Sequence, residues 1–301
     1  MSINLGTISA SAVKQFDTEV KQAYQAKACV LAGSYRPRMG FVGDQYNFRR
    51  MEAGIARLRT MRQANVTPMD VGYSLVACSL ADWDASEYTD IFNQTEVNFS
   101  ERQELAECIA GAMVRRRDQI IFDAIIAGTY AGAQTIAQTI GGAAAANCNM
   151  NVLKLLALKN FMDIGNVPAE DRYLLMHASV ARGLLTDPLY INRDYNNAGT
   201  GQLDNGTPKG YLGFKFIIIG DYVEGGIPLS TANRYAYAWH KSALGAVFAD
   251  VQETEVNYIP EKKSWLASGN LRMGSVLVEP VTGCIRVDCL QTKNYDGTLT
   301  L

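Results

Sequence analysis

Residues 100–126 read SERQELAECIAGAMVRRRDQIIFDAII, a pattern that predicts one helix over 101–127, far longer than most domain helices. Ser100 stands at the cap with Gln103 three residues on, and Glu101 and Glu104 complement the positive end of the helix dipole. Leu105, Ile109, Met113, Ile120 and Ala124 recur at four- and seven-residue steps, so one stripe faces a core along about 40 Å. Gly128 supplies the stop. A helix of this length is a girder rather than the wall of a small pocket. In its middle Arg115, Arg116 and Arg117 sweep about 200° of surface. At least one arginine therefore falls near the stripe and needs a carboxylate, a neighbouring subunit or a polyanion.

Working outward toward the N-terminus, residues 1–34 are polar and small, with Val13, Phe16, Val20 and Tyr24 at helical spacing, and read as an arm. The next segment carries Arg36, Arg38, Arg49, Arg50, Arg57, Arg59 and Arg62 against only Asp44 and Glu52, with no lysine. Tyr46 and Phe48 alternate with Gln45, Asn47 and Arg49, Met51 to Gly54 can turn, and Ala56 and Leu58 alternate with Arg57 and Arg59. This predicts a two-stranded hairpin. Such a hairpin is marginal in water by itself, so it projects and lies on something else, most simply another copy. Val71 to Trp83 predicts a strand, and Asp82, Asp84, Glu87 and Asp90 after it read as a solvated turn and helix start, without calcium-loop spacing.

Toward the C-terminus, Ala131 to Asn147 is Ala/Gly/Thr-rich and reads as a connection. Val152 to Met162 predicts an amphipathic helix packed through Leu153, Leu156 and Phe161. Tyr173 to Met176 reads as a buried strand, Ser179 to Leu185 as a helix, and Tyr190 to Lys209 as a loop. Phe214 to Ile219 and Tyr235 to Trp239 are apolar runs of strand length. Glu253 to Tyr258, a tip at 260–263 and a long strand from Trp265 make a second hairpin. Helices and strands alternate without a βαβ rhythm, which predicts an α+β fold.

Composition excludes several classes of function. At 301 residues, 48% hydrophobic and 19% charged, the chain can bury one large core or two modest ones. It has no run of eighteen apolar residues, and Lys14, Asp17, Glu19, Lys21 and Lys27 stand where an export signal would be apolar. The expectation is therefore a chain that neither spans a membrane nor leaves the compartment where thiols stay reduced. Cys29, Cys78, Cys108, Cys148, Cys284 and Cys289 form no CxxC pair and are expected to be buried thiols. The odd spacing of Cys284 and Cys289 puts them on opposite faces of a strand. The sequons at Asn65, Asn93 and Asn98 are chance. A net charge of −2 argues against a dedicated nucleic-acid binder. His177 and His240 lie in no HExxH motif, and no GxSxG, phosphate loop or strand-linked GxGxxG occurs. No catalytic, cofactor-binding or metal-ligating residue is assigned.

The order of parts is similar to that of a known family: arm, arginine-bearing loop, long helix opening on Glu-Arg-Gln-Glu-Leu-Ala, mixed domain, and a late hairpin with Glu-Val-Asn-Tyr-Ile-Pro-Glu-Lys-Lys-Ser-Trp-Leu. The segments Val66 to Met69, Asp82-Trp83, Glu87 to Phe92 and Arg116 to Gln119, together with that hairpin, resemble runs in one branch of the tailed-bacteriophage major capsid proteins, of Hong Kong 97-type fold. The resemblance spans about 16–290. It implies an arm at 1–34, an extended loop at 35–76, a peripheral domain at 77–130 and 248–274, and an axial domain at 131–247 and 275–301. The spine helix would be 101–127 and the late-hairpin tip 259–265. It further implies hexamers and pentamers of an icosahedral head around double-stranded DNA, contacted non-specifically. Other expected partners are a portal protein and separate scaffolding and cement proteins. The expected location is the virion, assembled in the cytoplasm of a bacterial host. A nanocompartment shell of the same fold is the alternative, and a cytosolic α+β enzyme a more distant one.

Expected subunit-interface residues are the seven loop arginines, Arg116, Glu261, Lys262, Lys263 and Trp265. Some members weld subunits through a loop lysine; here no lysine lies between Lys27 and Lys154, so that cross-link lacks its nucleophile. With no long scaffolding-like segment ahead of the arm, any scaffold is expected to be a separate protein.

Overall fold

The computed structural model describes residues 28–63, 65–66, 68–92, 100–130, 134–191, 203–204, 207–208, 210–221, 224, 226–227, 229–230, 232–249 and 254–298. The helical spacing at 13–24, the sequons at Asn93 and Asn98, and most of the loop at 190–209 lie outside them.

The girder is present as α1 (Glu101–Tyr130), 30 residues long. Its first turn is closed by Gln103 N–H and Glu104 N–H on the Ser100 carbonyl. Two expectations are corrected here. Gly128 does not stop the helix: it lies within the last turn, where a Cβ would sit 2.5 Å from the Leu277 side chain, so glycine is required by close packing. The deepest stripe is Ile109, Ile121, Phe122 and Ile125, with Ile120 only partly buried. Sequence spacing placed the face correctly in the first half and one residue off in the second.

Ahead of α1 come β1 (Arg36–Phe41), β2 (Gln45–Met51), β3 (Tyr73–Ser79) and β4 (Ala81–Asp90). β2 pairs antiparallel with β3, from Gln45 opposite Ser79 to Met51 opposite Tyr73. The arginine hairpin is thus wider than predicted: 55–59 form no strand, and 52–63 run exposed between the two strands. The reason is packing. Phe48 and Cys78 meet Val247 and Val278 in a small core at the root of the loop, and Phe48 lies over Gly245, where a Cβ would be 2.5 Å away. No comparable anchor exists for Ala56 or Leu58, which are exposed. The predicted strand at 71–83 is broken at Leu80, and the acidic group after it belongs to β4 rather than to a turn and helix start.

After α1 follow β5 (Gln134–Ile136), α2 (Val152–Ile164), β6 (Arg172–His177), α3 (Ala178–Thr186) and α4 (Pro188–Ile191). Next are the short β7 (Leu203–Asp204) and β8 (Thr207–Pro208), then β9 (Phe214–Ile219), β10 (Leu229–Ser230) and β11 (Asn233–His240). The chain closes with β12 (Leu244–Ala249), β13 (Thr254–Ile259), β14 (Ser264–Leu277) and β15 (Cys284–Leu290). α2 is where predicted, but its faces are reversed. Val152, Lys154, Leu155, Leu158 and Met162 are buried, whereas Leu153, Leu156 and Phe161 are 46%, 52% and 39% exposed. Lys154 caused the error: a lysine on the inner face hides the apolar stripe, yet its Nζ donates to the carbonyls of Cys148 and Asp288 at 2.9 Å each.

Two sheets carry the molecule. One runs β5-β15-β11-β6-β9 with β10 on β11, mixing antiparallel pairs with the parallel β6/β9 and β5/β15. It is buried on both faces, which is why its strands read as unbroken apolar runs. Leu174, Met176, Ala236, Ala238, Ile285, Val287 and Cys289 face α2 and α3. Leu175, Tyr237, Trp239 and Cys284 face the core that holds Ile121, Phe122 and Ile125 of α1. Cys284 and Cys289 do lie on opposite faces, as their spacing required. The second sheet runs β1-β12-β14-β13, with β4 on β14; β1 is parallel to β12 and the other pairings are antiparallel. Just ahead of β1, Leu31, Ser34 and Tyr35 pack into the core. Leu31 and Tyr35 are buried, the Ser34 carbonyl accepts Trp239 Nε1–H at 2.8 Å, and Asp118 of α1 accepts Val30 N–H at 2.9 Å. Cys29 is half-buried on Asp118 and Cys108 is exposed, so two of the six thiols depart from the expected burial.

Candidate assembly surfaces

The predicted interface residues fall at three places. At the first, Arg36 and Arg38 lie exposed on β1 and Arg49 and Arg50 on β2, with Arg57, Arg59 and Arg62 in the open segment between β2 and β3. Arg36 stands over the Phe48 ring at 5.7 Å and Arg50 pairs with Glu279 at 2.6 Å, fixing the root of the loop. Around the distal arginines Ile55, Leu58, Met61 and Val66 are 79%, 90%, 72% and 89% exposed. This is basic and aliphatic surface without a core of its own.

The second place is the tip between β13 and β14. Pro260 to Lys263 turn tightly, Lys262 N–H and Lys263 N–H bonding to the Ile259 and Pro260 carbonyls, with Lys263 at positive φ. Glu261, Lys262 and Lys263 are exposed. Lys262 Nζ is 4.0 Å from the centre of the Tyr88 ring. Trp265 is half-buried within the chain, its ring tilted against Tyr258 at 5.3 Å and covered by Arg102 of α1 at 4.8 Å.

The third is the middle of α1. Arg116 pairs with Glu224 and covers Trp83 at 4.2 Å; Arg117 donates to the Tyr35 hydroxyl at 2.8 Å and covers Phe248 at 4.4 Å. The carboxylate the arginine run called for is thus supplied to Arg116 inside the same chain. Arg116 also borders an open cleft of about 850 Å³ shared with Asp123, Asp221, Glu224 and Arg234. Its charges are largely answered among themselves: Arg234 donates to Asp221 at 2.5 Å, which holds that carboxyl below its usual range.

The two histidines use one geometry. His177 Nδ1 accepts Ser179 N–H at 3.1 Å at the head of α3, and His240 Nδ1 accepts Ser242 N–H at 3.3 Å in the turn after β11. Accepting at Nδ1 leaves the proton of the neutral ring on Nε2, which in His177 faces Asp221 at 3.3 Å. Burial lowers both pKa values. These are caps rather than general bases, a role that His-x-Ser at two strand ends makes readable in retrospect. Among the described residues no group of three or more His, Cys, Asp and Glu is placed to hold a metal ion, and no helix is long and apolar enough to cross a membrane.

A girder helix joining two sheets, with an open basic loop and a charged hairpin tip, is an α+β fold shared with phage capsids. The capsid of Cyanophage P-SCSP1u superposes with a TM-score of 0.74 at 17% identity, covering 93% of this chain and 94% of that one. The head of Helicobacter pylori bacteriophage KHP40 gives 0.74 at 13% identity over 97% and 100%. The mature capsid of bacteriophage PhiM1 gives 0.69 at 14% over 92% of each. At these identities the likeness establishes the fold. The family model for phage capsid protein matches residues 8–291, and the chain belongs to that family. No curated protein matches its sequence. The chain is thus a structural component of a phage capsid.

Proposed function

We propose that this chain is the major capsid protein of a tailed phage, assembling into hexamers and pentamers of an icosahedral head around double-stranded DNA. The observation that carries the reading is the loop at 52–63. Three arginines and several large apolar side chains are held in solvent by a subunit that gives them no core. Such surface is costly for a monomer and is answered when identical copies interlock. In this reading 35–76 is the extended loop, 77–130 with 248–274 the peripheral domain, and 131–247 with 275–301 the axial domain. A portal, scaffolding and cement proteins complete the head, which assembles in the bacterial cytoplasm. DNA is held through non-specific contacts, which need only local basic surface.

Size-exclusion chromatography with light scattering and negative-stain microscopy, on the chain produced together with the head genes of its phage, tests the reading. Closed shells or capsomer rings are expected, with double-stranded DNA recovered from filled particles. A compact monomer under those conditions would overturn it, and shells that hold an enzyme cargo instead of DNA would replace the phage head with a nanocompartment.

A further inference from the structure

His177 ends β6 with 8% of its side chain exposed, and its two ring nitrogens are treated unequally. Nδ1 is engaged, accepting Ser179 N–H at the head of α3 and lying 2.7 Å from Ser179 Oγ. Nε2 is buried and makes no hydrogen bond, although Asp221 Oδ1 stands 3.3 Å away. A buried N–H without an acceptor is destabilising and calls for a physical reason. Here the reason is that the carboxylate is already taken: the same Oδ1 accepts from Arg234 Nη2 at 2.5 Å. Arg234 has little freedom to yield, being buried and fixed by the Ile227 carbonyl and by Gln291 Oε1, which also accepts from Ser179 Oγ. Asp221, just beyond β9, is 73% exposed and has room to shift. Two cations in waiting thus face one carboxylate oxygen.

Of the charged groups on the elements packed around the ring, Asp221 and Arg234 act on it directly. Arg182 of α3 is engaged on the Gln291 carbonyl; further along the cleft Glu224 pairs with Arg116 of α1, and Asp123 with Gln119. A proton taken up from solvent goes to Nδ1, because Nε2 already carries one. The charged ring no longer accepts Ser179 N–H, so an amide in the first turn of α3 loses its cap. It also places positive charge against the positive end of a nine-residue helix and beside Arg234. Its Nε2–H has become a charged donor, and the carboxylate within reach is the group that answers it. Burial and Arg234 oppose charging while Asp221 favours it, so where that carboxylate sits decides the balance.

We propose that His177 is an acid-driven switch on Asp221: the charged ring draws the carboxylate onto Nε2 and away from Arg234, loosening the tie between the end of β9 and the start of β11. Asp221 stays ionised throughout, held by one cation or the other. Because Asp221 and Arg234 line the cleft shared with Arg116 and Glu224, the exchange changes the charge pattern of the wall that faces α1. His240 supplies the contrast. It caps Ser242 in the same way, but its other partner is the Glu170 backbone, so charging it moves no carboxylate. The switch belongs to the fold of the subunit and does not depend on the capsid reading.

The test is magic-angle-spinning NMR on the full chain, as shells or as sedimented subunit, labelled with 15N histidine and 13C aspartate. His240→Asn leaves a single ring to observe. Between about pH 7.5 and about pH 5 that ring is expected to pass from neutral, protonated on Nε2, to doubly protonated. The dipolar coupling between Nε2 and the Asp221 carboxyl carbon is expected to strengthen over the same range as the two groups close. Asp221→Asn, an exposed change read in the chain that keeps both histidines, is expected to lower the midpoint of His177 charging by about one pH unit. A ring that stays neutral throughout, a coupling that does not change while the ring charges, or a midpoint unmoved in Asp221→Asn would overturn the proposal. Shell formation, scored separately on the same samples, is untouched by any of these results.

Discussion

At the residue scale, a few buried polar side chains tie separate segments of the subunit together through hydrogen bonds to the backbone. Lys154 is fully buried and joins the end of β15 to the start of α2 through two carbonyls. Hydrogen bonds from a charged donor are worth more than neutral ones, and removing the donor strands two buried acceptors. Lys154→Met, which keeps the volume, is expected to cost about 3 kcal/mol, read as a drop in the urea midpoint. Asp118 plays the same part for residues 29–30, and Asp118→Ala leaves the Val30 N–H unanswered, at an expected cost of about 2 kcal/mol. The two histidine caps give a pH dependence. For His177 burial and then Arg234 oppose protonation while Asp221 favours it; for His240 burial and Arg172 oppose it while the Glu170 backbone and Asp171 favour it. Each folded pKa lies below the ordinary imidazole value of 6.5, so between the two the unfolded chain binds more protons. The contribution to stability is therefore complete above pH 6.5 and falls as pH drops through the folded values. His177→Asn keeps a cap acceptor that does not titrate, and should flatten the fall of the urea midpoint between about pH 7 and pH 5.

At the element scale, the long helix shows why a glycine must be read against its neighbours. Gly111 and Gly128 both sit in α1, and each should cost about 1 kcal/mol relative to alanine by propensity alone. A Cβ at Gly111 meets only the tip of Arg115, 3.3 Å away, and that tip can move. At Gly128 it meets Leu277 Cδ2 at 2.5 Å and Cβ at 2.7 Å, with β14 fixed behind it. Gly111→Ala is expected to raise the thermal midpoint and Gly128→Ala to lower it, which one differential scanning experiment on both variants decides. The reversed face of α2 teaches the same lesson. Its apolar pattern was legible, but which stripe turned inward depended on Lys154 finding two carbonyls that lie elsewhere in the chain.

At the scale of the whole molecule, the distribution of charge matters more than its sum. The net charge of −2 conceals a basic loop and an acidic sheet face on one subunit. If such pairs hold copies together, assembly should weaken as salt rises, because exposed ion pairs are screened within a Debye length of about 10 Å at 0.1 M. Shell yield of the wild-type chain is expected to fall several-fold between about 0.1 and 1 M sodium chloride, while the folded subunit, held by its apolar cores, is unaffected. Light scattering and circular dichroism on the same samples separate the two effects.

Much of this is legible in the sequence alone. The girder, the late hairpin with its tight tip, and the apolar strands at 173–176, 214–219 and 235–239 announce themselves because their signals are local: caps, periodicity and runs longer than chance. The basic loop was legible as a surface needing a partner, but not the shape of its root, since β2 chooses β3 over residues 55–59 through Phe48 packing on Gly245. Nor did the acidic group at 82–90 reveal itself as one face of a strand, because its neighbours on β14 lie about 180 residues away in sequence. What the amino-acid sequence determined was the inventory of elements and the sign of each surface, which depend on neighbouring residues. What only the tertiary structure decided was which faces meet, because pairing, burial and the answering of charges depend on residues that folding brings together.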